Sequence, residues 1–328
     1  MLWKSTRGWI GVDVGTRAIK VAQLYSDHGR LRLSAASVSV RSAEVNADSP
    51  RELASQFTTA RALAQNLRGS RAAATLSMSA CGVEPSSDDA PIATDQCAGR
   101  WSAGPGSDYT LSINSRRVEE AVEGLSLAGW QCEAIDGQPL AIARALRFSP
   151  DYQREELLGA LDLGAASATF IGSTDGLARY VRRLHCGGMA DVYQSVAQTL
   201  SLPPKDVSKL LRRFGATAST SDAGEAHVLR DAVKDAVFPL VQELKRTLEH
   251  LSGKLRTPGP KRLFVFGEGG VIPGLSSLIG DALGLTVEPW RASALERDDD
   301  LADLPDCLLG QAIALSALAW DSSREGSL

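Results

Sequence analysis

Apolar and β-branched residues cluster in short runs near the start of the chain. Trp9–Val14, Ala18–Tyr25 and Leu31–Val40 read as three strands. Gly15–Arg17 and Ser26–Arg30 connect them and are short enough to make them antiparallel neighbours. From Pro50 to Arg68 the period changes, with Leu53, Phe57, Ala60, Leu63, Ala64 and Leu67 recurring at helical intervals. Residues 81–108 lose periodicity and are rich in Ser, Asp, Gly, Ala and Pro, which predicts a loop-heavy or poorly ordered stretch. Periodic pattern returns as a helix at Ser115–Ala128, a strand at Trp130–Ile135 and a helix at Pro139–Leu146.

The polar segment Asp151–Glu156 reads as a boundary. Beyond it the pattern predicts strands at Leu157–Leu163, Ala168–Ser173 and Leu177–His185, then helices at Met189–Leu200, Pro204–Arg213 and Ala223–Leu255. "KRLFVFGEGGVIPGLSSLIGDALG" reads as strand, glycine loop and helix. Leu304–Ala319 is the last predicted helix, and the tail Asp321–Leu328 is polar. "YVRRLH" (180–185) reads as a solvated strand edge and "ERDDD" (296–300) as an exposed loop.

Two stretches match each other. "GVDVGTRAIKVAQL" and "ALDLGAASATFIGS" are both strand, Asp, any residue, Gly, small turn, strand. Asp13 and Asp162 take equivalent places, as do Gly15 and Gly164, which points to duplicated halves. A glycine hairpin presents successive backbone N–H groups that can cradle phosphate oxygens, and a strand-end carboxylate can hold Mg²⁺ directly or through water. Phosphoryl transfer needs mainly positioning and charge neutralisation, which two such loops can supply. One Asp-x-Gly alone is a common hairpin signal. The matched pair and the glycine loop Gly267, Gly269, Gly270, which follows a strand and precedes a helix, favour the phosphate reading.

Composition narrows the field. The 328 residues suffice for two cores. A net charge of −4 and 5% aromatic residues argue against a nucleic-acid partner. Five cysteines with no CxxC spacing argue against a disulfide framework or a zinc site and fit a reducing compartment. The N-terminal MLWKSTRGW has no signal-peptide core, and the apolar run Cys307–Trp320 is too short to span a bilayer, so any membrane role is expected to go through a partner.

The ordered set of two Asp-x-Gly hairpins and a glycine loop resembles the actin, heat-shock chaperone and hexokinase superfamily. "IGVDVGTRAIKVAQL", "VEEAVEGLSLAGWQCEAIDGQPLAIARAL", "LDLGAASATFIGSTDGLARYVRRLHCGG" and "GEGGVIPGLSSLIGDALGLTVEP" are similar to the PilM family of type IV pilus assembly proteins, with the cell-division protein FtsA a more distant relative. The resemblance implies an α/β, bilobal actin-like ATPase (ribonuclease H-like) fold, with two duplicated lobes around a nucleotide cleft. It implies a first lobe over 1–150 with a shortened inserted subdomain at about 69–124. A second lobe would cover 151–305 with a helical insertion at about 201–257, and a helix at 306–320 would return to the first lobe. It also implies ATP and Mg²⁺ as cofactors. Asp13 and Asp162 would be the metal and phosphate carboxylates, and Gly15, Thr16, Lys20, Gly164 and Ala165 would line the phosphates. Gly267, Gly269 and Gly270 would back the adenosine, Gly187 and Gly188 would help form the cleft, and Gln138 would orient the attacking water beside Asp162. Read from local pattern alone, Lys20 is equally a solvated strand lysine, Gln138 a polar residue opening a helix before Pro139, and Gly187–Gly188 a strand-to-helix turn.

The implied function is a cytoplasmic scaffold, peripheral to the inner membrane, for a type IV pilus or related secretion system. Its partner would be the N-terminal cytoplasmic peptide of a PilN-like inner-membrane protein, held between the first lobe and its inserted subdomain. Pilus motor proteins and further copies of the chain extend that set; direct membrane insertion is not expected. Several positions depart from the family pattern. Ser208 stands near an expected Glu in the helical insertion, with Lys209 and Arg212 as the basic candidates there, Glu268 interrupts the adenosine glycines, and Ala165 replaces a frequent Gly. These departures fit weak binding or slow turnover. The alternatives are a small-molecule, sugar-type kinase of the same superfamily, whose catalytic Asp has no convincing counterpart here because Asp88, Asp89 and Asp95 sit in low-complexity sequence, and a non-hydrolysing secretion scaffold like the cytoplasmic domain of GspL proteins.

Overall fold

Strand formation starts where the sequence is most apolar. In the computed structural model, which describes residues 6–41, 49–86, 93–104, 107–216 and 223–321, Thr6–Arg7 (β1) precedes Ile10–Val14 (β2), all of whose residues are buried. Ala18–Asp27 (β3) and Arg30–Val40 (β4) follow as antiparallel neighbours, as the short turns predict. Pro50–Leu63 (α1) is opened by Ser49, whose Oγ accepts from the Glu52 amide while it also hydrogen-bonds the Glu52 carboxylate. Pro50 sits at the first helical position, where its missing N–H is harmless. Helix α1 stops short of the predicted Arg68, and Asn66 takes a left-handed conformation just after it.

The sequence pattern assigns no strand to Arg71–Leu76, yet this segment (β5) pairs in parallel with β2 inside the main sheet. Its Ala72–Ala73–Ala74 run has weak strand propensity, but all three residues are fully buried, where small side chains fit and context overrides propensity. Residues 81–108 correct the loop-heavy expectation. Cys81–Pro85 (β6), Gln96–Ser102 (β7) and Asp108–Asn114 (β8) form an antiparallel sheet in the order β6-β8-β7. A sheet that is half exposed keeps a polar composition. Only Tyr109, Leu111 and Ile113 of β8 turn inward, on alternate positions. Asp88 and Asp89, and residues 322–328 of the tail, lie outside the described residues.

Ser115–Leu127 (α2), Gln131–Asp136 (β9) and Gln138–Ala145 (α3) complete this part of the chain, close to their predicted bounds. Next come Leu158–Leu163 (β10), Ala168–Thr174 (β11), Leu177–Leu184 (β12), Met189–Leu200 (α4), Pro204–Phe214 (α5) and Ala223–Leu255 (α6). Arg262–Phe266 (β13), Leu275–Leu283 (α7), Thr286–Pro289 (β14), Glu296–Arg297 (β15) and Asp306–Ala317 (α8) end the order. Glu296–Arg297, expected in an exposed loop, instead pairs with β4, and the neighbouring Asp298 carboxylate meets Arg32 at 2.8 Å.

Two compact units result: Met1–Tyr152 with Gly176–Arg179 and Arg291–Leu328, and Gln153–Asp175 with Tyr180–Trp290. The first holds the sheet β15-β4-β3-β2-β5-β9, with β1 on β3. Its core joins β2, β3 and β5 to α1 and α2, where fully buried Phe57 packs on Trp130 with ring centroids 5.9 Å apart. Helix α8, buried along its length, packs on β2 and β3, and Ser316 Oγ accepts from the Leu24 amide at 2.9 Å. The second unit holds the sheet β12-β11-β10-β13-β14, whose core is closed by α4, α5, α6 and α7. Among the described residues no helix is long and apolar enough to cross a membrane.

Candidate functional site

The matched hairpins fold alike. In the first unit Asp13 pairs across the β2–β3 ladder with Lys20, and the Gly15 amide closes the turn on the Ala18 carbonyl at 3.1 Å. In the second, Asp162 pairs across β10–β11 with Thr169, and the Gly164 amide closes on the Ser167 carbonyl, also at 3.1 Å. Both carboxylates end a buried strand beside a parallel neighbour, β5 or β13.

Asp13 is fully buried. Its Oδ2 accepts from Lys20 Nζ at 2.8 Å, while its Oδ1 has no hydrogen-bond partner among the described residues. Thr75, in register with Asp13 on β5, is also fully buried with an unpartnered hydroxyl. Buried polar atoms are nearly always paired, so these two atoms on adjacent strands carry hydrogen-bonding capacity that a polar ligand, ion or water can satisfy. Lys20 Nζ also lies over Gly15, where a side chain would come within 2.7 Å of it. Thr16 Oγ1 is 3.2 Å from Ser77 Oγ, which joins the hairpin to the turn after β5. Gln138 is buried at the start of α3, and its Oε1 accepts from the Met78 amide of that turn at 2.8 Å.

Beside this turn lies a groove of about 310 Å³. Its walls include Gly15 and Thr16 of the hairpin, Arg41 after β4, Ser77 and Ser79 after β5, and Arg117 of α2.

In the second unit the predicted glycines converge on β10. Gly267 has φ +77°, and a side chain there would lie 2.9 Å from Asp162 Oδ1 and 2.8 Å from the Leu163 carbonyl. The glycine loop can therefore pass against the strand end only as glycine. Gly269 and Gly270 are buried in the same loop, and the Gly270 amide donates to the Gly267 carbonyl at 3.2 Å. Gly188 presses on the hairpin turn: a side chain would come within 2.7 Å of the Gly164 and Ala165 carbonyls and 2.6 Å of the Ser167 amide. The Met189 and Ala190 amides, at the start of α4, donate to those same two carbonyls at 2.8 and 2.9 Å.

Two of the residues noted in sequence, Glu268 and Arg212, meet in a network. Glu268 Oε1 accepts from Tyr193 Oη of α4 at 3.1 Å and from Arg212 of α5 at 2.9 Å. Burial, and then the Glu268 carboxylate, pushes the Tyr193 hydroxyl up to about 12. Arg212 is thus the basic residue that reaches the glycine loop, while Lys209 pairs with Asp206 of its own helix at 3.4 Å.

The structure therefore gathers Asp13, Gly15, Thr16 and Lys20 in one unit, with Gln138 behind the Ser77–Met78 turn. It gathers Asp162, Gly164, Ala165, Gly187, Gly188, Gly267, Gly269 and Gly270 in the other. Sequence reasoning missed Thr75, Tyr193 and Glu243. Thr75 is a polar break in a buried alanine run. Glu243 is a carboxylate on the buried stripe of α6, between Leu240 and Thr247, and that position was its only signal.

A buried Asp-x-Gly hairpin in each unit, with a glycine loop beside the second, defines the actin-like ATPase fold. Over 95% of this chain and 98% of the other, it superposes on the PilM–PilN type IV pilus biogenesis complex with a TM-score of 0.74 and 19% identity. The ethanolamine utilization protein EutJ from Carboxydothermus hydrogenoformans follows the fold at a TM-score of 0.57, with 13% identity over 96% of this chain and 92% of that one. Component A of (R)-2-hydroxyglutaryl-CoA dehydratase from Acidaminococcus fermentans does so at 0.51, with 13% identity over 95% and 96%. At these identities the likeness shows the fold, and that fold is PilM-like. No family model and no curated protein matches the chain.

Proposed function

We propose that this protein is a nucleotide-binding assembly scaffold of the PilM type. It would work on the cytoplasmic face of a type IV pilus or related secretion machine. The observation that carries the reading is the fully buried Asp13 carboxylate, which holds Lys20 on one oxygen and keeps the other without a partner beside a glycine turn. Carboxylates of this kind suit Mg²⁺, and Asp13 in its unit and Asp162 in the other are each candidates to hold it; once bound it would neutralise phosphate charge. Gly15, Thr16, Lys20, Gly164 and Ala165 would meet the phosphates, Gly267, Gly269 and Gly270 the adenosine, and Gly187 and Gly188 would support the second hairpin. Gln138 is the water-orienting candidate.

The groove beside Gly15 and Thr16 supports the partner reading, since it runs from the main sheet to α2 and the small sheet it follows. An N-terminal peptide of a PilN-like membrane protein would lie along the Leu53, Asn114, Arg117 and Ala121 wall of this groove, leaving Gly15 and Thr16 to the phosphates, and bring the scaffold to the membrane. The likeness to a PilM–PilN complex supports that partner.

Calorimetric titration with Mg·ATP tests the nucleotide reading, with Asp13→Ala as the comparison. Binding by the native protein, weakened about tenfold or more in the variant, is the expected result. Absence of binding at millimolar ATP would overturn it and leave a scaffold that works through its peptide groove alone.

A further inference from the structure

Among the described residues of helix α6, Glu243 is the acid on the buried side. Glu243 is 5% exposed, and its carboxylate accepts from two consecutive backbone amides beyond β12, those of His185 at 2.9–3.0 Å and Cys186 at 3.2 Å. Arg182 stands 3.8 Å away. A carboxylate that accepts from backbone amides in a buried setting makes strong, directional bonds. Those bonds fix where the chain enters the next two residues, Gly187 and Gly188.

That turn is pressed on the β10–β11 hairpin. Gly188 leaves no room for a side chain against Gly164, Ala165 and Ser167, and the amides of Met189 and Ala190 hold the Gly164 and Ala165 carbonyls. Hydrogen bonds at both ends of the Gly187–Gly188 backbone thus tie α6 to the hairpin. Four residues before Glu243, Pro239 interrupts the α6 ladder and removes a donor from it. A cavity of about 200 Å³ lies at this break, lined in part by Cys186, Gly187, Asp235, Ala236 and Pro239.

We propose that Glu243 is the positioning residue that sets the Gly187–Gly188 turn and, through it, the shape of the Gly164–Ser167 hairpin. Glu243 anchors the half of α6 that follows Pro239, so the hairpin moves with that half of the helix. A nucleotide role for the hairpin rests on the reading above, but the coupling itself does not.

Hydrogen–deuterium exchange on the ligand-free protein tests it, comparing the native chain with Glu243→Ala and Glu243→Gln. Glu243→Ala is expected to speed amide exchange across 164–168 and 185–190 by about tenfold or more and to leave β13 unchanged. Glu243→Gln keeps one acceptor oxygen and should fall between the two. Unchanged exchange at 164–168 in both variants would overturn the proposal. If Glu243→Ala fails to melt cooperatively, Glu243→Gln carries the same test. Mg·ATP titration of the same proteins separates the two ideas. Faster exchange without ATP binding by any form supports the coupling and removes the nucleotide reading. Equal ATP binding with unchanged exchange does the reverse.

Discussion

Lys20 Nζ and Asp13 Oδ2 are 2.8 Å apart across the first hairpin, with the lysine side chain 15% and the aspartate side chain 1% exposed. The pair is nearly dry, so removing one partner strands a charge rather than releasing it to water. Lys20→Met should lose about 3 kcal/mol in urea unfolding. If the carboxylate is a cation site, millimolar Mg²⁺ should recover part of that loss, because a ligand that binds only the folded form stabilises it. Asp13→Asn/Lys20→Met should show no recovery. A loss below about 1 kcal/mol would mean that water already screens the pair.

Gly188 meets three backbone atoms of the hairpin, none of which can rotate away. Gly188→Ala should therefore destabilise by about 2 kcal/mol or more, through forced displacement of the turn. Gly253, on the exposed side of α6 with nothing near it, provides the contrast. Gly253→Ala should stabilise by about 0.5–1 kcal/mol, because alanine loses less backbone entropy in a helix. Thermal melts of the two variants check both signs at once.

Glu268 is held by Tyr193 and Arg212, so its carboxylate ties α4 and α5 to the glycine loop. Arg212 is half exposed, which limits what the ion pair contributes. A double-mutant cycle between Arg212→Ala and Glu268→Ala should return a coupling of about 1 kcal/mol. Under the nucleotide reading, Glu268→Gly frees Arg212 and restores an uninterrupted glycine run, so calorimetry should show tighter Mg·ATP binding. Weaker binding in that variant would mean that Glu268 itself contacts the ligand.

Cys307, in the first turn of helix α8, is 3% exposed; burial pushes its thiol up to about 11 from an ordinary 9.0. The folded chain thus keeps a proton that the unfolded chain gives up first. The associated stability is present below pH 9 and is lost as pH rises from about 9 to about 11. Urea midpoints measured across that window should fall more steeply for the native protein than for Cys307→Ala. Parallel curves would show that the thiol is not shielded as its burial indicates.

Elements whose neighbours in space are neighbours in sequence were legible from the chain. The hairpin β2–β3–β4, its counterpart β10–β11–β12 and the long helices follow from local period and turn chemistry, and α4 and α6 match their predicted bounds. The small sheet was not legible. Its strands are short and polar, and residues 81–108 look irregular; the alternation of Tyr109, Leu111 and Ile113 begins only just after them. Strand β5 was hidden for the opposite reason, since its alanines become strand-like only between β2 and β9.

The candidate site divides along the same line. The two Asp-x-Gly hairpins and the glycine loop are local signals, and the chain alone determined that such turns would exist and would end buried strands. Tertiary structure decided what each residue does there. It gave Lys20 to Asp13 across a ladder, left Asp13 Oδ1 and the Thr75 hydroxyl unpaired on neighbouring strands, and joined Arg212 to Glu268 from 56 positions away. It brought Glu243 to amides 57 and 58 positions earlier. Periodicity reports which face of an element is buried. Which polar groups meet on that face depends on how the elements pack, and the energy of a buried charge depends wholly on that meeting.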